Sequence, residues 1–214
     1  MLGLIDKLSV RRHIEARKAK LRDFLRLCRP TSSDSVLDVG VLGAEEYEVA
    51  NFFLRAYPHL ENLTALSIED CLDLRSRYPL VKFVTYDGKR FPFADKRFDV
   101  CHSNAVVEHV GDVERQRLFV SEMVRVARRG FFTTPNRWFP VELHTKIPLL
   151  HYLPWALFTR VCHLMHRERD IRGVRLLSRR QVVGLMEGTP VSFYQLLENR
   201  ILGLTVTYSV YWIE

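Results

Sequence analysis

Between residues 34 and 136 short apolar runs alternate with amphipathic stretches. "SVLDVG" (35–40), "NLTALSI" (62–68), "VKFVTYDG" (81–88), the start of "RFDVCHSNAVVEHV" (97–110) and "GFFTTPN" (130–136) read as strands. Between them, "AEEYEVANFFLRAY" (44–57), "EDCLDLRSRY" (69–78) and "DVERQRLFVSEMVRVAR" (112–128) carry apolar residues at helical spacing. Runs this short cannot bury their apolar faces alone. Alternation of this kind demands right-handed crossovers and a parallel sheet with helices on both faces. The end of the chain breaks the pattern. "SRRQVVGLME" (178–187) is a helix, and 192–214 holds two strands turning within 198–203, an antiparallel hairpin. The expected fold is α/β, a doubly wound and mostly parallel sheet finished by that hairpin.

A chain of 214 residues with 47% hydrophobic content supports one such domain with an added segment. We divide it into a basic helical segment, 1–33, and a main domain, 34–214, with a lid-like insertion at about 138–177. The first thirty residues concentrate positive charge, from Lys7 through Lys18, Lys20 and Arg22 to Arg29, within a net charge of +7. This helix suits two jobs: covering a cleft by packing Leu21, Phe24 and Leu25, or docking on an anionic membrane. "IPLLHYLPWALFTRVCHLM" (147–165) is interrupted by Pro148, Pro154 and Arg160, so it reads as a surface-lying or lid segment and not a span. Cys28, Cys71, Cys101 and Cys162 form no Cys-x-x-Cys pair, and reduced thiols in a cytoplasmic protein are the expectation. No secretory signal is legible at the N-terminus.

In an open α/β sheet, ligands bind outside the carboxyl ends of the strands. Polar residues collect at those ends: Asp38 and Gly40, Ser67 with Glu69 and Asp70, Asp87 and Gly88, Ser103 and Asn104, and Thr134, Asn136 and Arg137. Their repetition points to a ligand cleft.

On these residues the chain resembles a family. "VLDVGVLGA", "YDGKRFPFADKRFDVCHSNAVVEHV" and "MVRVARRGFFTTPN" look like successive motifs of class I S-adenosylmethionine-dependent methyltransferases, with "PFADKRFDVCHSNAVVEHV" the most specific stretch. The resemblance covers about 34–137 and the terminal hairpin, and implies a Rossmann-like fold with S-adenosylmethionine as cofactor. It implies that Asp38, Gly40, Val41 and Gly43 form the loop for the cofactor's methionine end. Ser67 and Ile68 fall at the ribose position. Asp87 and Gly88 match the adenine position, and Ser103 and Asn104 the segment beneath the sulfonium. His109 takes either a place bordering the cofactor or a packing role.

Two positions depart from the family pattern. Leu42 stands where the loop has its second glycine, and Ser67 where an acid holds the ribose; Glu69 or Asp70 is the expected substitute. A pyrophosphate-binding loop is disfavoured, because the following helix opens with Glu45 and Glu46. Cys162, His163 and His166 lie close in sequence without a fourth ligand, so no metal is expected. His144, on the segment after strand five, is the candidate general base for a hydroxyl acceptor, with an unperturbed pKa of ~6.5.

The resulting expectation is methyl transfer to a small-molecule or lipid-like acceptor, at oxygen or nitrogen. The alternative is a non-catalytic binding protein of the same fold. Nucleic acid is disfavoured as a partner, and an anionic membrane is the peripheral contact consistent with the charge. Oligomeric state is not legible.

Overall fold

A computed structural model describes residues 2–45, 50–141, 147–166 and 173–214. Its centre is a seven-stranded sheet in the order β3-β2-β1-β4-β5-β7-β6. The strands are β1 (Val36–Val39), β2 (Leu63–Ser67), β3 (Lys82–Thr85), β4 (Phe98–Asn104), β5 (Ala127–Pro135), β6 (Phe193–Ile201) and β7 (Leu204–Ile213). The first five pair in parallel; β7 is antiparallel to both β5 and β6. The order reverses direction between β1 and β4, which opens the crevice where ligands of such sheets bind. The mostly parallel sheet with an antiparallel hairpin is thus present as expected.

Side chains alternate across the sheet and feed two cores. On one face, Leu37, Val39, Leu66, Cys101 and Phe132 pack with Phe119, Val120 and Met123 of α4 (Val113–Val126) and with Val182 and Leu185 of α6 (Arg179–Glu187). On the other, Val36, Ala65, Val100 and Phe131 pack with α1 (Leu2–Cys28), α2 (Phe52–Ala56) and α3 (Leu72–Arg77). Each helix follows local chemistry. The Asp112 side chain caps α4 by accepting from the Arg115 N–H. Ser178 and Gln181 form a reciprocal capping box at α6.

Helix α1 is built into the domain. Phe24 is fully buried, with its ring edge-on to Phe53 and His102 at 5.2 Å each. Burying a phenylalanine stabilises by about 1.5–3 kcal/mol. The Nε of Arg129 on β5 donates to the Cys28 carbonyl at 2.7 Å, which pins the end of the helix.

Two local expectations change. The helix expected over 44–57 is described as helical only at Phe52–Ala56; residues 46–49 lie outside the described residues, and Asn51 adopts φ 47. Helix α4 ends at Val126, and Ala127 already pairs with Phe98 as the first residue of β5. Strand pairing thus takes Ala127 and Arg128, which local propensity assigned to the helix. Glu45 receives hydrogen bonds from Arg77 and the Tyr78 hydroxyl. The four cysteines are buried and form no disulfide among the described residues. Among the described residues no helix is long and apolar enough to cross a membrane.

Candidate cofactor-binding site

A cavity of about 750 Å³ opens at the carboxyl ends of the parallel strands. From the first loop it is lined by Asp38, Gly40, Val41 and Leu42, and from the end of β2 by Ile68 and Glu69. Tyr86, Asp87 and Gly88 line it beyond β3, and Asn104, Val106 and His109 beyond β4. Residues more than sixty positions apart converge because parallel strands deliver all their carboxyl ends to one edge.

Gly40 is dictated by this geometry. Its φ is +91°, and a Cβ there would lie 2.3 Å from a methyl of Val106. Any side chain would both strain the backbone and fill the crevice. Its N–H donates to the Leu66 carbonyl at 2.9 Å, which fixes the turn out of β1.

Beyond Gly40 the loop is braced by its own side-chain partners. The Leu42 N–H donates to Oδ1 of Asn51 at 2.9 Å, and Nδ2 of Asn51 donates back to the Leu42 carbonyl at 3.0 Å. The Gly43 N–H donates to Oε2 of Glu69 at 2.6 Å. A Cβ on Gly43 would meet the Asp70 carbonyl at 2.5 Å. Leu42 is 47% exposed and lies along the cavity wall. Two amides of this loop are therefore already engaged, and one oxygen of Glu69 is spent on the loop.

The two serines turn away from the cavity. Ser67 is buried, and its Oγ accepts the Glu69 N–H at 2.9 Å. Ser103 is buried, and its Oγ donates to the Val39 carbonyl at 3.0 Å. Ser67 braces the turn out of β2 and Ser103 ties β4 to β1; neither they nor Gly43 lines the cavity. Asp87 is exposed and accepts the Lys89 N–H at 3.0 Å. His144 lies outside the described residues. Cys162 is buried while His163 and His166 are exposed, and the described residues hold no His, Cys, Asp or Glu group placed to bind a metal.

The structure adds three residues that the motifs do not indicate. Nδ1 of His102 lies 2.7 Å from Oδ1 of Asp38, both buried. The His102 ring stacks on Phe53 at 3.9 Å. Arg17 and Lys20 of α1 line the cavity. Neither has a hydrogen bond or ion pair among the described residues. Burial, followed by repulsion from Arg17, pushes the Lys20 ammonium down to about 8, and the Glu108 carboxylate opposes that shift. In the sequence these cations are indistinguishable from the other basic residues of α1.

Tested against S-adenosylmethionine, this residue set fits. Asp38 offers a carboxylate to an amino group, and Arg17 and Lys20 offer cations to a carboxylate. Ile68, Tyr86 and Val106 supply apolar walls, and Asp87 is an acceptor for an exocyclic amine.

A sheet in this order, with its cavity after the first strand, defines the class I S-adenosylmethionine-dependent methyltransferase fold. Residues 37–132 match the family model of the methyltransferase domain. No curated protein sequence matches the chain. Among solved structures, the methyltransferase in complex with the Trm112 activator of Haloferax volcanii is 14% identical, at a TM-score of 0.58, over 97% of this chain and 92% of that one. The N-terminal domain of EvdMO1 with S-adenosylhomocysteine bound is 14% identical, at a TM-score of 0.55, over 90% of this chain and 78% of that one. The N-methyltransferase NodS of Bradyrhizobium japonicum, also with S-adenosylhomocysteine, is 13% identical, at a TM-score of 0.53, over 95% and 86%. At such identities the likeness is one of fold.

Proposed function

We propose that this chain transfers a methyl group from S-adenosylmethionine to a small-molecule or lipid-like acceptor, at oxygen or nitrogen. The observation that carries this reading is the single cavity that joins Asp38 and Gly40 after β1 to Asp87 after β3. The cofactor supplies an electrophilic methyl group on a sulfonium. The chain supplies binding and orientation. Asp38 faces the amino end, Arg17 and Lys20 neutralise the carboxylate, and Asp87 accepts from the adenine amino group. Holding donor and acceptor in line converts a bimolecular reaction into an effectively unimolecular one. Residues 138–177 act as the acceptor lid, and the segment 1–33 walls the cavity through α1. His144 takes the proton of a hydroxyl acceptor.

Titration calorimetry with S-adenosylmethionine and S-adenosylhomocysteine tests the reading. Wild-type protein binds both. Asp87→Ala weakens binding by ~1–3 kcal/mol, the loss of a hydrogen bond to a charged partner, without lowering the melting temperature. Absence of heat and of thermal stabilisation with either compound would sink the proposal.

A second reading has one observation in its favour. The Leu42 and Gly43 amides are engaged by Asn51 and Glu69. A protein of this fold that no longer binds cofactor productively would show that closed loop. It is distinguished by ligand-independent melting and by no methyl transfer across an acceptor screen.

A further inference from the structure

We propose that the catalytic end of this protein docks on an anionic lipid bilayer through an apolar rim formed by the β6–β7 hairpin tip and the segment after β5. The proposal deepens the lipid-like acceptor reading and rests on it.

The tip lies at the cavity's end of the sheet. Strand β7 runs antiparallel to β5, with Thr207 opposite Pro135, so the Leu202–Gly203 turn projects past the carboxyl end of β5. The segment after β5 leaves beside the hairpin's base, where Nδ2 of Asn136 donates to the Thr205 carbonyl at 2.8 Å.

The tip is built against its own stability. Leu202 and Gly203 form a two-residue loop with φ of 49° and 81°. Positive φ at both positions is the geometry that favours Asn-Gly. A leucine there is strained, and with 98% of its surface exposed it gains no packing in return. Ile201 and Leu204 beside it are 57% and 51% exposed. Leu149 repeats the pattern in the following segment, with φ 59 and 55% exposure. Backbone strain spent on exposed apolar side chains points to a function outside the fold.

The segment after β5 has matching chemistry. Helix α5 (Trp155–Leu164) buries Phe158 and Cys162 and leaves Leu157, Arg160 and Leu164 exposed at helical spacing. Trp138 and Tyr152 pair with ring centroids 5.8 Å apart, both exposed. Exposed aromatic residues with a polar edge suit the water–lipid boundary. The described residues of 137–141, 147–166 and 200–205 include Arg137, Arg160 and Arg200 and no Asp or Glu. Glu198 pairs with Arg200, which leaves Arg137 and Arg160 for headgroups on a chain of net charge +7. Exposed apolar side chains together with arginines match an anionic interface.

The test sediments the full chain with vesicles of phosphatidylcholine alone and of phosphatidylcholine with phosphatidylglycerol. Wild type co-sediments with the mixed vesicles, less so at high salt. Leu202→Asn weakens this by about tenfold, the loss of one buried leucine. It also raises the melting temperature by about 2–4 °C, because asparagine relieves the turn. The Leu157→Asp/Leu164→Asp variant weakens sedimentation to a similar degree. Wild type remaining in the supernatant with mixed vesicles overturns the proposal. So does equal sedimentation of the variants, which would reduce the attraction to net charge. A lowered melting temperature in Leu202→Asn would place Leu202 in the service of the fold, with the same consequence. S-adenosylhomocysteine titration without vesicles, on each variant, separates failure of docking from failure of the cofactor reading.

Discussion

Asp38 and His102 are partners across the β1–β4 ladder, and their side chains meet at 2.7 Å on the face covered by α1. The loop's acidic residue is therefore aimed by a buried imidazole, and that imidazole lies between Phe53 and Phe24. His102→Ala leaves a void beside three aromatic rings and a buried carboxylate without its partner. We expect destabilisation on the order of 2–4 kcal/mol, read as a lower urea midpoint at unchanged slope. A change within 0.5 kcal/mol, the range of an ordinary surface substitution, would contradict this role.

Arg125 organises the stretch before β4. It pairs with Glu122 and Asp95 at 2.7 Å each and donates to the carbonyls of Phe91 and Phe93. Burial pushes the Glu122 carboxyl up, but hydrogen bonds from Arg125 and the Phe91 N–H outweigh it and hold the group below its usual range. Arg125→Met strands Glu122 in a buried position and destabilises by ~3–5 kcal/mol. In wild type this contribution is present above the ordinary glutamate pKa and is lost as pH falls through the lowered folded value. Thermal melts between neutral and acid pH check both statements.

Asn51 braces the first loop through two hydrogen bonds to Leu42. Asn51→Ala removes both, and cofactor affinity falls because the loop must be ordered on binding. Leu42→Gly leaves both backbone partners in place and clears the cavity wall. Affinity is kept or improved, at a stability cost of up to ~1 kcal/mol for glycine flexibility. Calorimetry and melting curves on the two variants settle it; loss of binding in Leu42→Gly would show that the leucine side chain shapes the pocket.

We expect Lys20 to make cofactor binding pH-dependent. Its folded pKa is depressed to about 8 by burial and then by Arg17. The unfolded chain therefore holds a proton that the folded chain has released in the window from about 8 up to the ordinary lysine value. Unligated stability rises with pH across that window through this group. A carboxylate placed against Lys20 favours its charged form, so binding takes up a proton there. Cofactor affinity should fall as pH rises above about 8, and Lys20→Met should flatten the profile. Titrations in buffers of different ionisation enthalpy measure the proton uptake directly.

What the sequence by itself determined was everything carried by local pattern. The alternation of apolar runs and helical stretches specified the parallel sheet. The strand-terminal positions of Asp38, Gly40, Asp87 and Asn104 placed them at one edge, since parallel strands end together. The α1 amphipathicity gave its helix but not its neighbour, because a basic helix face reads alike over a cleft or in solvent. Tertiary packing decided that Phe24 anchors α1, and so brought Arg17 and Lys20 to the cavity. It also decided that Ser67 and Ser103 turn inward, and that Glu69 holds the Gly43 amide from across the crevice. The Asp38–His102 bond spans sixty-four residues. No local spacing encodes such a contact: register between β1 and β4 creates it, and the ring's fit between Phe24 and Phe53 holds it.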